Sequence, residues 1–368
     1  MAAQPAARKT DPHVCPEPSP QAHVGGPIDD GSGNVDVNGL PAARRGDPAT
    51  CVPAKDKIHK GSLTVLVNGK QFARRYDRTD HKGGFIKDGS PNVDVGSVPA
   101  GCEFLDQPFL VSGSKADFDK NRQPVTVGPK TTGKYQFPGD KAPQDANFYT
   151  ATINGQDIKI IEPVAGPVKG KFLPTVDQTA QSLAAVPPGQ LATIQQVVLS
   201  PNPNPSDAYW AKEYNNPNFV SAATGGNGGV THYPLDHQLT QDRLDSNTIH
   251  EGGHTYSQEL WKDSKNQTEW ENAIKADDQA PSQYAENAPT EDFSESLVMY
   301  SLAKGTPCEA VARSIYPNRF AVFDKLFAPK PKPVPVPTPP PPPPQPARRP
   351  HPNMRGPNNA RSGPMRFF

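Results

Sequence analysis

A short segment that recurs three times in the first hundred residues limits what this chain can fold into. The copies are Gly33–Gly39, Ser62–Gly69 and Ser90–Gly96, and apolar and polar residues alternate in each, as in a β-strand. The first two copies end in Asn-Gly, which favours a tight turn. Because each unit is too short to bury a core alone, we expect the three to fold together around one axis.

Potential metal ligands stand at matching positions of these units. An arginine and an aspartate accompany each one (Arg8 and Asp11, Arg44 and Asp47, Arg74 and Asp77), and four residues after the aspartates come Cys15, Cys51 and His81. His13 and His23 lie beside the first of these. Nitrogen and sulfur ligands without carboxylates indicate a closed, structural zinc site. A Cys15–Cys51 disulfide is the alternative, which we expect less because no secretory signal is recognised in the sequence.

The N-terminal segment resembles the PAAR-repeat proteins over about residues 4–97. The resemblance is carried by Pro5-Ala-Ala-Arg8, Asp11-Pro-His-Val-Cys-Pro16, His23-Val-Gly-Gly-Pro-Ile28, Leu40-Pro-Ala-Ala-Arg44, Gly46-Asp47, Cys51 and His81-Lys-Gly-Gly84. It implies a small β-cone that caps the trimeric VgrG-type spike protein of a bacterial type VI secretion system. It also implies a tip zinc held by three histidines and one cysteine. On that pattern we expect four ligands from five candidates, with His59 at the surface: His13, His23, His81 and either Cys15 or Cys51.

The second half of the chain contains the string His250-Glu251-Gly252-Gly253-His254, inside a predicted helix over Asp245–Lys262. Two histidines four residues apart share one helix face and can bind one zinc ion, and Glu251 can act on a water activated by that metal. Each glycine costs about 1 kcal/mol relative to alanine in a helix. The pair therefore indicates close packing beneath a metal or room for a substrate backbone. A solvated helix with two incidental histidines is the alternative.

A third protein ligand is expected from the segment that follows Pro289. Glu291 and Glu295 lie one turn apart on a helix predicted to begin at Thr290. Glu291 would ligate the zinc, and Glu295 would orient a ligating histidine through its second ring nitrogen. Ordinary surface acids are the alternative.

Three features together resemble the lethal-factor-type gluzincins. They are the HExxH string, a tyrosine seven residues before a glutamate, and the pattern E-x-F-x-E that begins at this glutamate. The matching positions are His250, Glu251, His254, Tyr284, Glu291 and Glu295. The resemblance covers little more than residues 245–300, and it implies that Tyr284 donates a hydrogen bond to the oxyanion of the scissile carbonyl. Such a donor lowers the barrier most where charge develops.

Upstream patterns fit the first half of a zincin-like domain. Residues 147–153 and 157–161 flank Asn154-Gly155, a strong hairpin signal. Residues 190–199 read as a strand. The Gly-rich stretch 219–233 is either an edge strand that could pair with an extended peptide or a flexible loop. His232 and His237 are expected at the surface.

These patterns predict a multidomain chain. An all-β PAAR cone covers residues 1–98, a linker with some β-structure covers 99–144, an α+β zincin-like metallopeptidase covers 145–328, and a Pro-rich, basic, disordered tail covers 329–368. Cys102 and Cys308 are expected as structural thiols without a partner. Lys plus Arg equals Asp plus Glu at 38 each, so charge indicates no nucleic-acid partner, and we expect no membrane span.

Together the segments predict a type VI effector whose tip delivers a zinc metalloendopeptidase toxin into a neighbouring cell. The expected cofactors are two zinc ions, one catalytic and one structural. The expected partners are the spike protein, a protein or peptide substrate in the target cell and an immunity protein. The chain would occupy the bacterial cytoplasm before firing and the periplasm or cytoplasm of the target afterwards. The alternatives are a zinc amidase acting on cell-wall peptides, and a structural tip with an inactive extension.

Overall fold

The computed structural model describes residues 3–16, 22–81, 83–96, 98–99, 101–106, 118–213, 216–277 and 279–328. The tail predicted for residues 329–368 lies outside them. All described residues belong to one compact unit, Met1–Ala328. The unit contains an N-terminal β-domain, which we define as the described residues of 3–96, followed by an α+β domain.

The N-terminal β-domain is built from short strands arranged with approximate threefold repetition. The backbone N–H of Ala43 donates to Ala7 O, that of Ala7 to Ala73 O, and that of Ala73 to Ala43 O, and each hydrogen bond is 2.9 Å long. This closed ring of hydrogen bonds confirms the prediction that the repeats fold around one axis. The strands are β1 (Gln4–Pro5), β2 (His13–Val14), β3 (Val24–Ile28), β4 (Asp36–Val37), β5 (Leu40–Pro41), β6 (Pro48–Val52), β7 (Asp56–Lys57), β8 (Leu66–Val67), β9 (Lys70–Gln71), β10 (Phe85–Ile86) and β11 (Asp94–Val95).

The repeated sequence signals explain this architecture. The two Asn-Gly pairs close the β4–β5 and β8–β9 hairpins, and both residues of each pair adopt positive φ, as a type I′ turn requires. The repeated aspartates accept hydrogen bonds from the backbone N–H and the guanidinium of their arginines, as in Arg74 and Asp77. Two small apolar layers fill the axis, one of alanines and isoleucines and one of alanines, valines and Phe72.

A mixed β-sheet organises the α+β domain, with seven strands in the part of the chain that the structure describes. The order is β12-β14-β15-β16-β18-β17, and β13 also pairs with β14. The strands β15, β16 and β18 run parallel, and β17 pairs antiparallel with β18 at the sheet edge. Their bounds are β12 (Val125–Val127), β13 (Thr131–Tyr135), β14 (Gln144–Ile153), β15 (Gln156–Pro163), β16 (Gln196–Leu199), β17 (Ala223–Gly226) and β18 (Gly229–His232).

Helices pack on this sheet around one large apolar core. Within it Phe293 packs edge to face against both Trp270 and Phe323, and the rings of Trp270 and Phe323 are tilted against each other. Among the described helices, none is both long and apolar enough to cross a membrane. The helices are α1 (Val176–Ala185), α2 (Pro188–Leu191), α3 (Asp207–Glu213), α4 (Gln241–Leu260), α5 (Ser264–Asp277), α6 (Pro289–Ala303), α7 (Cys308–Ile315) and α8 (Pro317–Leu326), with short 3-10 turns at Glu103–Asp106, Asp119–Asn121 and Ala285–Asn287.

Several predicted elements differ from the structure. The β-structure expected within residues 99–144 is present as β12 and β13. These strands belong to the sheet, and Phe104, Leu105 and Phe118 are buried in the core, so the described part of this segment belongs to the α+β domain and is not a linker. The strand predicted over 190–199 is a helical turn followed by β16. The hairpin at Asn154-Gly155 is confirmed by β14 and β15.

The two cysteines predicted to lack a partner form a disulfide. Cys102 and Cys308 are buried and bonded to each other across 206 residues of sequence. The prediction of separate thiols is wrong because the fold brings these distant positions together. The bond fixes the segment after the N-terminal β-domain to the first turn of α7.

Candidate functional site

The HExxH string lies on α4, which begins four residues earlier than predicted. Its two glycines sit where neighbouring elements come closest. A Cβ on Gly253 would lie 2.9 Å from the backbone Cα of Ser294 on α6, and a Cβ on Gly252 would lie 2.6 Å from the Gln190 side chain. Close packing beneath the site therefore explains the glycine pair, which was one of the two explanations that the sequence offered.

The three predicted ligand atoms of the candidate catalytic metal converge. His250 Nε2 lies 3.2 Å and His254 Nε2 lies 3.4 Å from Glu291 Oε2. Potential ligand atoms of the three side chains all lie within 4.8 Å of one another. Two imidazoles and one carboxylate form a donor set suited to zinc, and a fourth position would be free for water or substrate.

Glu295 lies behind this set, as predicted. Its Oε1 is 2.9 Å from His250 Nδ1, and its Oε2 accepts a hydrogen bond of 2.8 Å from Ser282 Oγ. The Glu295 side chain is completely buried. A carboxylate held in this way fixes the ring orientation of the histidine and leaves Nε2 directed toward the metal position.

The ionisation of these groups reflects their pairing. Burial opposes the charge on His250, but the hydrogen bonds that it donates to Glu291 and Glu295 outweigh this cost and raise the pKa of the imidazole well above its ordinary value. Burial also opposes the charge on Glu291, yet its bonds to His250 and His254 lower its pKa to about 2. The carboxylate therefore needs a positive partner here, and a divalent cation can replace the proton in that role.

A buried arginine holds the first turn of α6 in place. The Arg319 guanidinium donates to both oxygens of Asp292, at 2.8 and 2.7 Å, and to Asp277 at 3.2 Å. All three side chains are almost completely buried. Because Asp292 follows Glu291 directly, this network fixes the backbone that carries the candidate ligand.

Glu251 faces the same cavity and contacts the sheet edge. The backbone of Gly225 in β17 hydrogen-bonds to the Glu251 carboxylate. A Cβ on Gly225 would lie 1.9 Å from the Glu251 carbonyl oxygen, so only glycine lets the strand approach α4 this closely. Burial raises the pKa of Glu251, although His250 and His254 oppose the shift. A carboxylate with a raised pKa accepts a proton more readily.

The cavity at the metal position has a volume of about 440 Å³. Tyr284 lines it, and the centroid of the Tyr284 ring lies 5.9 Å from that of His250. The opposite wall consists of Trp210, Phe219 and Val220 together with β17. The Gly-rich stretch is thus an edge strand of the described sheet beside the cavity. This apolar wall was missed from the sequence, because Trp210 lies on the short helix α3 and Phe219 and Val220 lie in an irregular segment, and no motif marks any of them.

The N-terminal β-domain holds a second group of potential ligands. Cys15, His23, Cys51 and His81 place their ligand atoms within 4.8 Å of one another. The two sulfur atoms are 2.8 Å apart, and both cysteines are free. Cys15 and Cys51 therefore do not form the disulfide that was the alternative prediction. Burial and the neighbouring Cys15 raise the pKa of the Cys51 thiol to about 12. Two thiolates so close together need a cation between them, which suits a structural zinc.

Both cysteines belong to this group, and His13 does not. The expectation of three histidines including His13 with a single cysteine is therefore wrong. His13 Nδ1 lies 2.9 Å from Gly26 O, and its Nε2 lies 3.3 Å from the buried Asp56 carboxylate. With Cys15 and Asp56 it forms a second group of potential ligands, which shares Cys15 with the first.

Two further histidines differ from their predicted surroundings. His232 is 1% exposed, because β18 lies inside the sheet, and burial lowers its pKa to about 4. His59 contacts Glu286 of the α+β domain and is only partly exposed. His237 is exposed, as predicted.

Comparisons with known proteins identify the N-terminal region. A family model described as the PAAR motif matches residues 18–83. A search of curated proteins finds no match to the chain. The motif match and the threefold β-domain agree, so the predicted PAAR resemblance is confirmed for this region, and it supports a spike-tip role in type VI secretion.

Proposed function

We propose that this chain is a type VI spike tip that carries a zinc-dependent peptidase into a neighbouring cell. The N-terminal β-domain would dock on the trimeric VgrG-type spike protein, and the α+β domain would act on a protein or peptide of the target. The observation that carries the enzymatic part is the convergence of His250, His254 and Glu291 beside Glu251 on one open cavity.

The donor set supports zinc in particular. The three groups leave one side of the metal position open to the cavity, as catalytic zinc sites require, whereas structural sites are closed. Glu295 supplies the outer contact that such sites use to orient a histidine. When bound, a zinc ion supplies Lewis acidity that polarises a carbonyl and lowers the pKa of water.

Glu251 is the proposed general base. Its position on the helix turn between the two histidines puts it on the wall of the cavity that the candidate ligands line, within reach of water bound there. It accepts a proton from the attacking water and later delivers that proton to the leaving amine. Its raised pKa favours the first transfer, and the Gly225 backbone holds the carboxylate in place.

Tyr284 is the proposed donor to the oxyanion. It stands beside His250 at the rim of the same cavity. A hydroxyl aimed at the carbonyl oxygen stabilises the charge that develops during water attack.

Substrate binding would use the edge of the sheet. An extended peptide can add to β17 by backbone hydrogen bonds, which places its scissile bond against α4. Trp210, Phe219 and Val220 then form an apolar wall, which favours a bulky apolar side chain next to the cleaved bond.

Hydrolysis by the purified full-length chain tests the proposal. Unfolded protein substrates and isolated cell wall are incubated separately with the wild type, with Glu251→Gln, and with Glu259→Gln as a matched control. Glu259 lies on the same helix with an exposed side chain paired to Lys262. We expect Glu251→Gln to lose at least about 10²-fold in rate, and Glu259→Gln to keep the wild-type rate.

The outcomes separate the alternatives. Cleavage of proteins supports the peptidase, whereas release of wall fragments alone would assign the same chemistry to cell-wall peptides. A wild-type chain that hydrolyses neither substrate when loaded with zinc, or a Glu251→Gln variant as active as wild type, would contradict the proposed function.

A further inference from the structure

The segment that carries Tyr284 is anchored at its active-site end. Ser282 Oγ donates to Glu295 and accepts a hydrogen bond of 3.2 Å from Ala285 N. Ser282 itself is buried. The segment Ser282–Asn287, which we call the tyrosine loop, is therefore tied to the carboxylate that orients His250.

The other end of the tyrosine loop is anchored by the N-terminal β-domain. Glu286, two residues after Tyr284, accepts hydrogen bonds from both terminal nitrogens of Arg78, one of them 3.0 Å long. His59 Nε2 lies 3.3 Å from the same carboxylate. A bidentate arginine–carboxylate pair is among the stronger and more directional polar contacts in proteins.

Arg78 and His59 are linked to each other and to Asp80 within the β-domain. The backbone N–H of His59 donates to the backbone carbonyl of Arg78 over 2.8 Å, and the ring nitrogen Nδ1 of His59 lies 2.9 Å from the Asp80 carboxylate. The Arg78 side chain is 9% exposed and that of Glu286 is 33% exposed. The pair is thus partly shielded from water, which makes it stronger than a surface ion pair.

The charges of the pair persist over a wide pH range. Burial opposes ionisation of Glu286, but His59 and Arg78 lower its pKa to about 2. Asp80 and Glu286 raise the pKa of His59 to about 9. Both partners of Glu286 are therefore cationic at neutral pH.

We propose that Arg78 of the N-terminal β-domain is a positioning residue for the peptidase, acting through Glu286 to hold the tyrosine loop so that Tyr284 stays over the metal position. This proposal rests on the proposed function for its kinetic consequence, but not for its structural one. It couples the spike tip to the active site, so the peptidase depends on a residue of its own delivery module.

The two domains have other contacts that keep them together without this pair. Leu63 of the β-domain packs on the core of the α+β domain, and the segment that directly follows the β-domain is held to that core by Val98 and by the Cys102–Cys308 disulfide. A variant without the Arg78–Glu286 pair is therefore expected to fold with its domains associated.

The first test is hydrogen–deuterium exchange of peptides covering the tyrosine loop in the full-length chain. We compare wild type, Arg78→Gln, Glu286→Gln and Arg78→Lys, with Arg75→Gln as the matched control. Arg75 makes its contacts within the β-domain, with Lys87 O and the Tyr76 ring. We expect exchange of the loop to rise about tenfold in Arg78→Gln and Glu286→Gln, less in Arg78→Lys, and not at all in Arg75→Gln.

The second test is a double-mutant cycle on hydrolysis. We expect Arg78→Gln to lower kcat about tenfold with KM unchanged, and zinc content to stay at the wild-type level. In the Tyr284→Phe background, the same substitution should change kcat less than about twofold. Additive losses would show that Arg78 acts on stability and not through Tyr284.

The two tests separate the proposals. Unchanged loop exchange in Arg78→Gln overturns the positioning role, whatever the activity. If wild type hydrolyses nothing, the proposed function fails, while the exchange experiment still decides whether Arg78 holds the loop.

Discussion

Gly253→Ala tests the closeness of the two helices that carry the candidate ligands. The new Cβ would lie 2.7 Å from Ser294 Oγ and 2.9 Å from Ser294 Cα. Carbon atoms in contact normally lie about 3.5–4.0 Å apart, so α4 and α6 must separate by roughly 0.5–1 Å at this point. Neither contact atom can move aside freely, because one belongs to the backbone and the other is hydrogen-bonded to His254 Nδ1 over 3.4 Å.

The displacement has a small effect on stability and a larger one on metal binding. Overpacking costs about 1–3 kcal/mol, and alanine regains about 1 kcal/mol of helix propensity. We therefore expect the free energy of unfolding to fall by about 0–2 kcal/mol. Metal ligands must keep their distances within about 0.2 Å, and His254 and Glu291 lie on the two helices that move. We expect zinc affinity to fall at least about tenfold.

Zinc affinity is measured by competition with a fluorescent chelator, and stability by urea unfolding. Glu259→Ala serves as the control, since it raises helix propensity on an exposed face of the same helix. A Gly253→Ala variant with wild-type zinc affinity and a free energy of unfolding higher by about 1 kcal/mol would refute the reasoning. Such a result would mean that α4 and α6 leave room for a methyl group.

Three further predictions follow from the contacts of the site and its supports. Glu295→Gln should weaken zinc binding about 10–100-fold in the same chelator assay, and unchanged affinity would contradict its orienting role. Reduction of Cys102–Cys308 should lower the free energy of unfolding by up to about 5 kcal/mol, the loop-closure value for so long a loop. Equal urea midpoints with and without reductant would contradict this. The stabilisation that wild type shows over Glu286→Gln should be full between about pH 4.5 and 6.5. It should vanish as pH falls toward 2, because the pKa of Glu286 is lowered, and decline as pH rises toward 9, because the pKa of its partner His59 is raised. A difference that stays constant with pH would be inconsistent with the ion pair.

Local signals in the sequence predict much of the site. Residues one helical turn apart share a face, so His250, His254, Glu291 and Glu295 could be placed relative to their own helices. The Asn-Gly turns likewise predict hairpins, because the left-handed conformation of both residues is a local property. The contact between α4 and α6 is not a local property, and it was predicted only because a zinc site needs a third protein ligand and because the motif resembles the gluzincins.

The remaining features depend on contacts between distant segments. Cys102 and Cys308 are separated by 206 residues, and Arg78 and Glu286 by 208, so no local pattern relates them. The strand β13 reads Thr-Thr-Gly-Lys-Tyr and is mostly exposed, and therefore lacks the apolar alternation that reveals a strand. His13 was assigned to the tip group because it is close in sequence, whereas its side chain faces Asp56.

Zinc content of the purified full-length chain, measured by native mass spectrometry, tests the account most directly. The wild type is compared with His254→Ala and Cys51→Ser after loading with zinc and removal of the excess. We predict two zinc ions per wild-type chain and one in each variant, because each substitution removes a ligand from only one of the two groups. A wild type that binds a single zinc ion, which His254→Ala keeps and Cys51→Ser loses, would contradict the metallopeptidase and leave only the tip site.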